Sequence, residues 1–235
     1  ARAVLGSLEQ AQEELDALKA GHLGHVAIGT ITSPGVRLLP AAIAAVKKQH
    51  PAMRISIEIE TSNVLLERLA QDKLDIVVGR LSAEHDKLPL RYETLADEFV
   101  HAVVRQGHPL LGGPALTLAE VREANWVVPP AGSVLRHRFE RMFQRASLAP
   151  PARIVETAAL LFITRLLEES DMIAVLAADV AQYYAAHRVV EILPLAMQCQ
   201  MDDYGLITRS DRLPTPAAAI VTDALRAAGG LLSGN

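Results

Sequence analysis

Residues 54–63 read Arg54-Ile55-Ser56-Ile57-Glu58-Ile59-Glu60-Thr61-Ser62-Asn63, and residues 74–79 read Leu74-Asp75-Ile76-Val77-Val78-Gly79. In the first stretch isoleucine alternates with polar residues from Arg54 to Glu60, a period of two that belongs to a strand. Asp75 to Gly79 is a second, apolar strand. Between them Val64 to Gln71 carries Leu65, Leu66 and Leu69 at the spacing of a helix face. Strand, helix and strand in that order form a βαβ unit, with parallel strands and a right-handed crossover.

Working outward, the same alternation of elements repeats. Upstream, His25 to Thr30 is a short strand, and Pro34 to His50 is a helix with Val36, Leu39, Ile43 and Val46 on one face, stopped by Pro51. A second series begins near Leu95 with a strand through Phe99 to Val104. Thr117-Leu118-Ala119-Glu120 is a capping-box signature. Strands at Asn125 to Val128, Ile154 to Glu156 and Met172 to Leu176 alternate with helices at Ser133 to Arg145, Thr157 to Glu169 and Asp179 to Ala186. A last strand, Tyr204 to Thr208, and a helix capped at Thr215 with Pro216 in its first position remain. They complete the first lobe if the chain crosses back, which makes two α/β lobes joined by two hinge strands.

The first twenty residues differ. Val4, Leu8, Ala11, Leu15 and Leu18 recur at spacings of four and three among charged residues, an a/d seam of about two heptads. A helix that short needs a partner for its stripe, either its own domain or a second chain. We favour a second chain, because Gly21 and Gly24 release the helix before the globular part begins.

Composition narrows the function. The chain has 235 residues, 50% of them hydrophobic, enough for cores without staples. A single cysteine, Cys199, rules out an internal disulfide and favours a cytoplasmic location. There is no secretory signal pattern and no run long enough to span a membrane. A net charge of -4 argues against a nucleic-acid surface on this polypeptide. No glycine-rich phosphate loop follows a strand, and no Gly-x-Ser-x-Gly elbow is present. The eight histidines form no helix-spaced metal pair, and Cys199 has no neighbouring partner. Neither a catalytic residue, a metal nor a cofactor is expected.

In open α/β sheets ligands bind beyond the carboxyl ends of the strands, where helix N-termini present free N–H groups. Thr30, Thr32 and Ser33 follow the first strand, Ser62 the second and Arg80 the third, while Ser133 and Thr157 hold corresponding places in the second lobe. Each hydroxyl can equally cap its own helix. Taken together, they make the mouth between two lobes polar and mildly electropositive, suited to a small anion or polyol. Arg80 can clamp a carboxylate or lie in a surface ion pair.

Several runs resemble LysR-type transcriptional regulators: Gly24-His25-Val26-Ala27-Ile28-Gly29, Leu39-Pro40-Ala41 through Gln49-His50-Pro51, Leu69 to Gly79, Val103 to Leu110, and Ser170 to Ala177. The resemblance covers nearly the whole chain. It implies a periplasmic-binding-protein-like sensor of two Rossmann-like subdomains, joined by crossover strands near residues 97 and 203. Residues 24–97 with 203–235 form subdomain I, residues 98–202 subdomain II, and residues 1–20 a dimerising linker helix. The family's winged helix-turn-helix would precede that helix, and no recognition-helix pattern precedes Ala1, so the chain reads as a fragment. DNA contact is expected only through that missing domain. The effector contacts implied by the family fall on Thr30, Thr32, Ser33, Ser62, Ser133 and Thr157. The run Ile57 to Asn63 and Gly79-Arg80-Leu81 are similar to regulators of sugar or aromatic-acid catabolism, implying a sugar, sugar acid or aromatic carboxylate as effector and a homodimer or homotetramer as assembly. The rival with the same two-lobed design is a transporter's solute-binding protein, which would need an export signal and gains nothing from a heptad helix.

Overall fold

In the computed structural model, which describes residues 24–81 and 88–232, the chain divides into two units. Unit 1 draws on Ala1–Ala96 and Asp203–Asn235, and unit 2 is Asp97–Asp202. The heptad stretch lies outside the described residues.

Unit 1 holds β1 (His25–Thr30), β2 (Arg54–Ile59) and β3 (Ile76–Gly79), all parallel, in the order β2-β1-β3. Strand β9 (Gln200–Arg209) adds antiparallel to β3, pairing Gly79 with Gly205. Four helices accompany them: α1 (Thr32–Val36), α2 (Leu38–Gln49), α3 (Ser62–Ala70) and α8 (Pro216–Leu232). Val26 and Ile28 of β1 and Leu65, Leu66 and Leu69 of α3 are fully buried, which uses the apolar face read from sequence. Burying each such side chain contributes about 1.5–3 kcal/mol. Thr215 Oγ1 accepts the Ala218 N–H at 3.1 Å, the cap expected for α8.

The expected single helix from Pro34 to His50 is two helices instead. Pro40 is the cause. Within one continuous helix it would have to bond the Val36 carbonyl, yet it has no N–H and its ring would strike that carbonyl. The backbone breaks at Arg37 (φ -121°, ψ -56°), and Pro40 sits in the first turn of α2, where no donor is needed. A second difference concerns β2. Its alternation does mark a strand, but Ile57 and Ile59 are 46% and 57% exposed, because β2 is the edge strand of the sheet.

Unit 2 holds β5 (Trp126–Val128), β6 (Ile154–Glu156) and β7 (Ile173–Ala177) in parallel, ordered β7-β5-β6. The antiparallel strand β4 (Leu90–Val104) adds to β7 and carries the two-residue β8 (Glu191–Ile192) on its other side. Strand β4 is far longer than the alternation from Phe99 suggests. It runs through both units, as β9 does, so each supplies residues to two cores. Helices α4 (Leu118–Val121), α5 (Val134–Arg145), α6 (Leu160–Glu168) and α7 (Ala178–Ala186) complete the unit. The capping box at Thr117 and Glu120 is present. Trp126 anchors the core, its ring 5.1 Å from that of Phe139 and its N–H donating to the Val121 carbonyl at 2.9 Å.

Helix α6 starts at Leu160 rather than at Thr157. The Thr157 N–H is spent on the Val128 carbonyl at 3.0 Å, and its Oγ1 accepts the Ala159 N–H at 3.1 Å. Those bonds hold residues 157–159 as a turn beyond β6 and delay the helix.

Candidate functional site

Because β1, β2 and β3 run parallel, their carboxyl ends share one edge of unit 1, and five of the expected site residues lie there. The edge is held by backbone bonds: the Ile31 N–H donates to the Val78 carbonyl at 3.0 Å and the Glu60 N–H to the Thr30 carbonyl at 3.1 Å. Thr30 is fully buried, and its hydroxyl donates to the Ile31 carbonyl at 3.0 Å. Thr32, half-buried, opens α1.

The hydroxyls of this edge do not cap their own helices. The positions preceding α1 and α3 make no side-chain cap bond. Ser62 Oγ accepts the Arg80 N–H at 3.0 Å, tying the end of β3 to the start of α3. Gly79 makes this possible, since a Cβ there would come within 3.1 Å of that oxygen. Ser33 is 2% exposed, and its Oγ has no hydrogen-bond partner among the described residues. A buried hydroxyl left without a partner costs about 1–3 kcal/mol. Arg80 is buried at 8% exposure.

Ser133 and Thr157 stand at the corresponding edge of unit 2, and there each serves its own backbone, Ser133 as a helix cap. Ser133 Oγ accepts the Arg136 N–H at 3.2 Å, and Thr157 closes its own turn as described above. Sequence reasoning missed Arg136. Its side chain is only 14% exposed and reaches three groups: Glu140 at 2.5 Å, Glu156 at 3.1 Å and the Pro129 carbonyl at 3.3 Å. The spacing of four to Glu140 was legible in sequence, but the bond to Glu156 joins residues twenty apart and depends on β5 and β6 lying side by side.

Little else invites chemistry. His108 is buried, its Nδ1 accepting the Leu110 N–H at 3.1 Å while Nε2 pairs with the Asp171 carbonyl at 3.2 Å, a structural role. Burial pushes the Cys199 thiol up to about 11, although Arg138 and Arg145 pull the other way, so it is a poor nucleophile. Among the described residues no group of His, Cys, Asp or Glu is placed to hold a metal ion. No described helix is long and apolar enough to cross a membrane.

Each of the two α/β units thus carries polar residues at the carboxyl edge of its sheet. The model of the LysR substrate binding domain matches residues 19–230, and the chain belongs to that family. It is 36% identical over 229 residues to the HTH-type transcriptional regulator GbpR of Azospirillum brasilense, spanning 97% of this chain and 67% of that protein. It is 34% identical over 225 residues to the HTH-type transcriptional regulator GalR of Pseudomonas putida, spanning 96% of this chain and 56% of that one. The effector binding domain of QuiR in complex with shikimate superimposes with a TM-score of 0.72 at 17% identity, covering 89% and 98% of the two chains, and so shares the fold.

The chain is therefore the effector-binding domain of a LysR-type transcriptional regulator, with a periplasmic-binding-protein-like α/β fold. Such regulators are transcription factors and not enzymes. The family match decides against a transporter's solute-binding protein.

Proposed function

We propose that a small polar or anionic metabolite is the effector, engaged by Thr30, Thr32, Ser33, Ser62 and Arg80 in unit 1 and by Ser133 and Thr157 in unit 2. The unpartnered Ser33 hydroxyl carries this reading. A buried polar group left unsatisfied calls for an explanation, and a ligand's hydrogen bond supplies one. The QuiR domain, which shares the fold, was solved with shikimate, a hydroxylated carboxylate. Effector binding biases one arrangement of a homodimer or homotetramer, and the full-length protein passes this to DNA through an N-terminal helix-turn-helix domain, in the cytoplasm. Exposed Ile57 and Ile59 on β2, and Leu161 and Phe162 on α6 at 82% and 53%, support self-association.

The test is a thermal-shift screen of sugars, sugar acids and aromatic carboxylates, since a ligand specific to the folded state raises the melting temperature. Ser33→Ala is the diagnostic variant. It deletes an oxygen that makes no bond among the described residues, so free stability should hold or rise slightly, while effector affinity falls by about 1 kcal/mol. Unchanged affinity would remove Ser33 from the site.

A further inference from the structure

The backbone of β2 has one side turned away from the rest of its sheet. The Arg54 N–H donates to the Gly24 carbonyl and the Glu60 N–H to the Thr30 carbonyl, each at 3.1 Å, so both face β1. Along a strand, successive residues aim their backbone groups to opposite sides. Those of Ile55, Ile57 and Ile59 therefore point outward, where no strand lies among the described residues. Proteins blunt such edges with short strands, proline or charge, because an open row of N–H and C=O groups is a template for another strand. Unit 2's edge strand, β6, is only three residues long, whereas β2 has six and contains no Pro, Gly or Lys. Its charges are Arg54 at one end and Glu58, which Arg68 holds.

The order of residues along this edge fits a second copy of itself. With the two strands antiparallel about a two-fold axis at Ile57, Ile57 faces the partner's Ile57 and Ile55 faces the partner's Ile59. Every outward-facing residue then meets another, and each pair exchanges both of its backbone hydrogen bonds. The isoleucines line one face of the joined strands. On the other face, exposed Arg54 lies opposite the partner's Glu60, and Ser56 opposite the partner's Glu58, so that no like charges are opposed. Opposite charges facing each other across strands stabilise a pairing, and like charges weaken it. Other centres fit less well. An axis at Glu58 sets that carboxylate against the partner's Glu58, and an axis at Ser56 sets Ile59 against a methionine, Met53, that is buried and outside the strand.

We propose that β2 pairs antiparallel with β2 of a second copy of this chain, centred on Ile57, so that two unit 1 sheets join edge to edge across a symmetric interface. This rests on the self-association reading above and gives it a surface and a register.

Cysteine substitution in the purified chain reads the register. The Cα atoms of a hydrogen-bonded antiparallel pair lie about 5.5 Å apart, within the span of a disulfide. Ile57→Cys, on the axis, should therefore give a disulfide-linked dimer under mild oxidation. In Ile59→Cys the two thiols are four residues apart along the strand, about 13 Å, and should not cross-link. Both positions are half-exposed, so melting curves should match the parent's, and the native thiol of Cys199 is buried and leaves the parent chain as background. Added to Ile57→Cys, Arg54→Glu should slow cross-linking about tenfold by turning two ion pairs into repulsions, and a further Glu60→Arg should restore the rate. Cross-linking at Ile59→Cys equal to that at Ile57→Cys overturns the proposal, and so does a rate that ignores both charge changes. If Ile57→Cys stays unlinked while the chain sediments as a dimer, the β2 pairing falls but self-association stands through another surface. A chain that sediments as a monomer at every concentration removes both.

Discussion

Gly205 is where a single methyl group should do most damage. It lies in β9 opposite Gly79, and a Cβ built on it would sit 2.3 Å from the Glu93 carbonyl oxygen and 2.7 Å from the Tyr92 ring. The first obstacle is backbone of the neighbouring β4, which cannot rotate away, and the ring is held by the Tyr92 hydroxyl bonding the Asp203 carbonyl at 3.0 Å. Gly29 offers an internal comparison, because a Cβ there would meet Leu65 Cδ2 and Leu74 Cδ1, also at 2.7 Å, but these are the ends of side chains that can turn. Overpacking costs about 1–3 kcal/mol. We expect Gly205→Ala at the top of that range or above it, and Gly29→Ala near the bottom. Gly113→Ala, with nothing within 4 Å, should change little. For a chain of this size about 3 kcal/mol lowers the melting temperature by roughly 6–12 °C. Calorimetry on the three variants measures the order directly. Gly205→Ala melting within about 2 °C of the parent would mean that β4 and β9 separate easily, and the packing argument would fail.

Two further outcomes follow from named contacts. Thr215→Ala removes the oxygen that accepts the Ala218 N–H and should cost about 1 kcal/mol in urea denaturation, while Thr215→Ser should recover most of it. Burial raises the Cys199 thiol to about 11, against an ordinary value of 9.0. A raised folded value favours the protonated, folded form. The contribution is complete below pH 9 and is lost as the pH rises towards 11. At pH 8 the folded thiol should then react with a disulfide reagent about 100-fold more slowly than the urea-unfolded chain, and equal rates would contradict its burial.

The candidate site was legible in the types of residue it gathers more than in what each does. Hydroxyls after successive strands marked the edges from sequence alone, since a parallel sheet delivers those positions to one side. What each hydroxyl does was not legible. Ser133 and Thr157 serve their own backbone, whereas Ser62 serves Arg80 eighteen residues away and Ser33 has no partner among the described residues. Local spacing cannot separate these cases, because an N-cap and a long-range acceptor use the same residue types. Arg136 escaped notice for the same reason, its partner Glu156 being fixed only when β6 pairs with β5.

By itself the sequence determined the kinds of elements and their order. Periods of two and of 3.6, the cap at Thr215 and the capping box at Thr117 are local chemistry and hold wherever the segments are placed. Tertiary structure decided what no window of residues contains. It left Ile57 and Ile59 exposed, because β2 gained a neighbour on one side only. It drew β4 out through fifteen residues, because both units needed a strand from it. It also set one guanidinium between two carboxylates, which places a charge where the sequence showed only hydroxyls. Burial and charge pairing depend on which distant segments meet, and that is settled only when the sheets assemble.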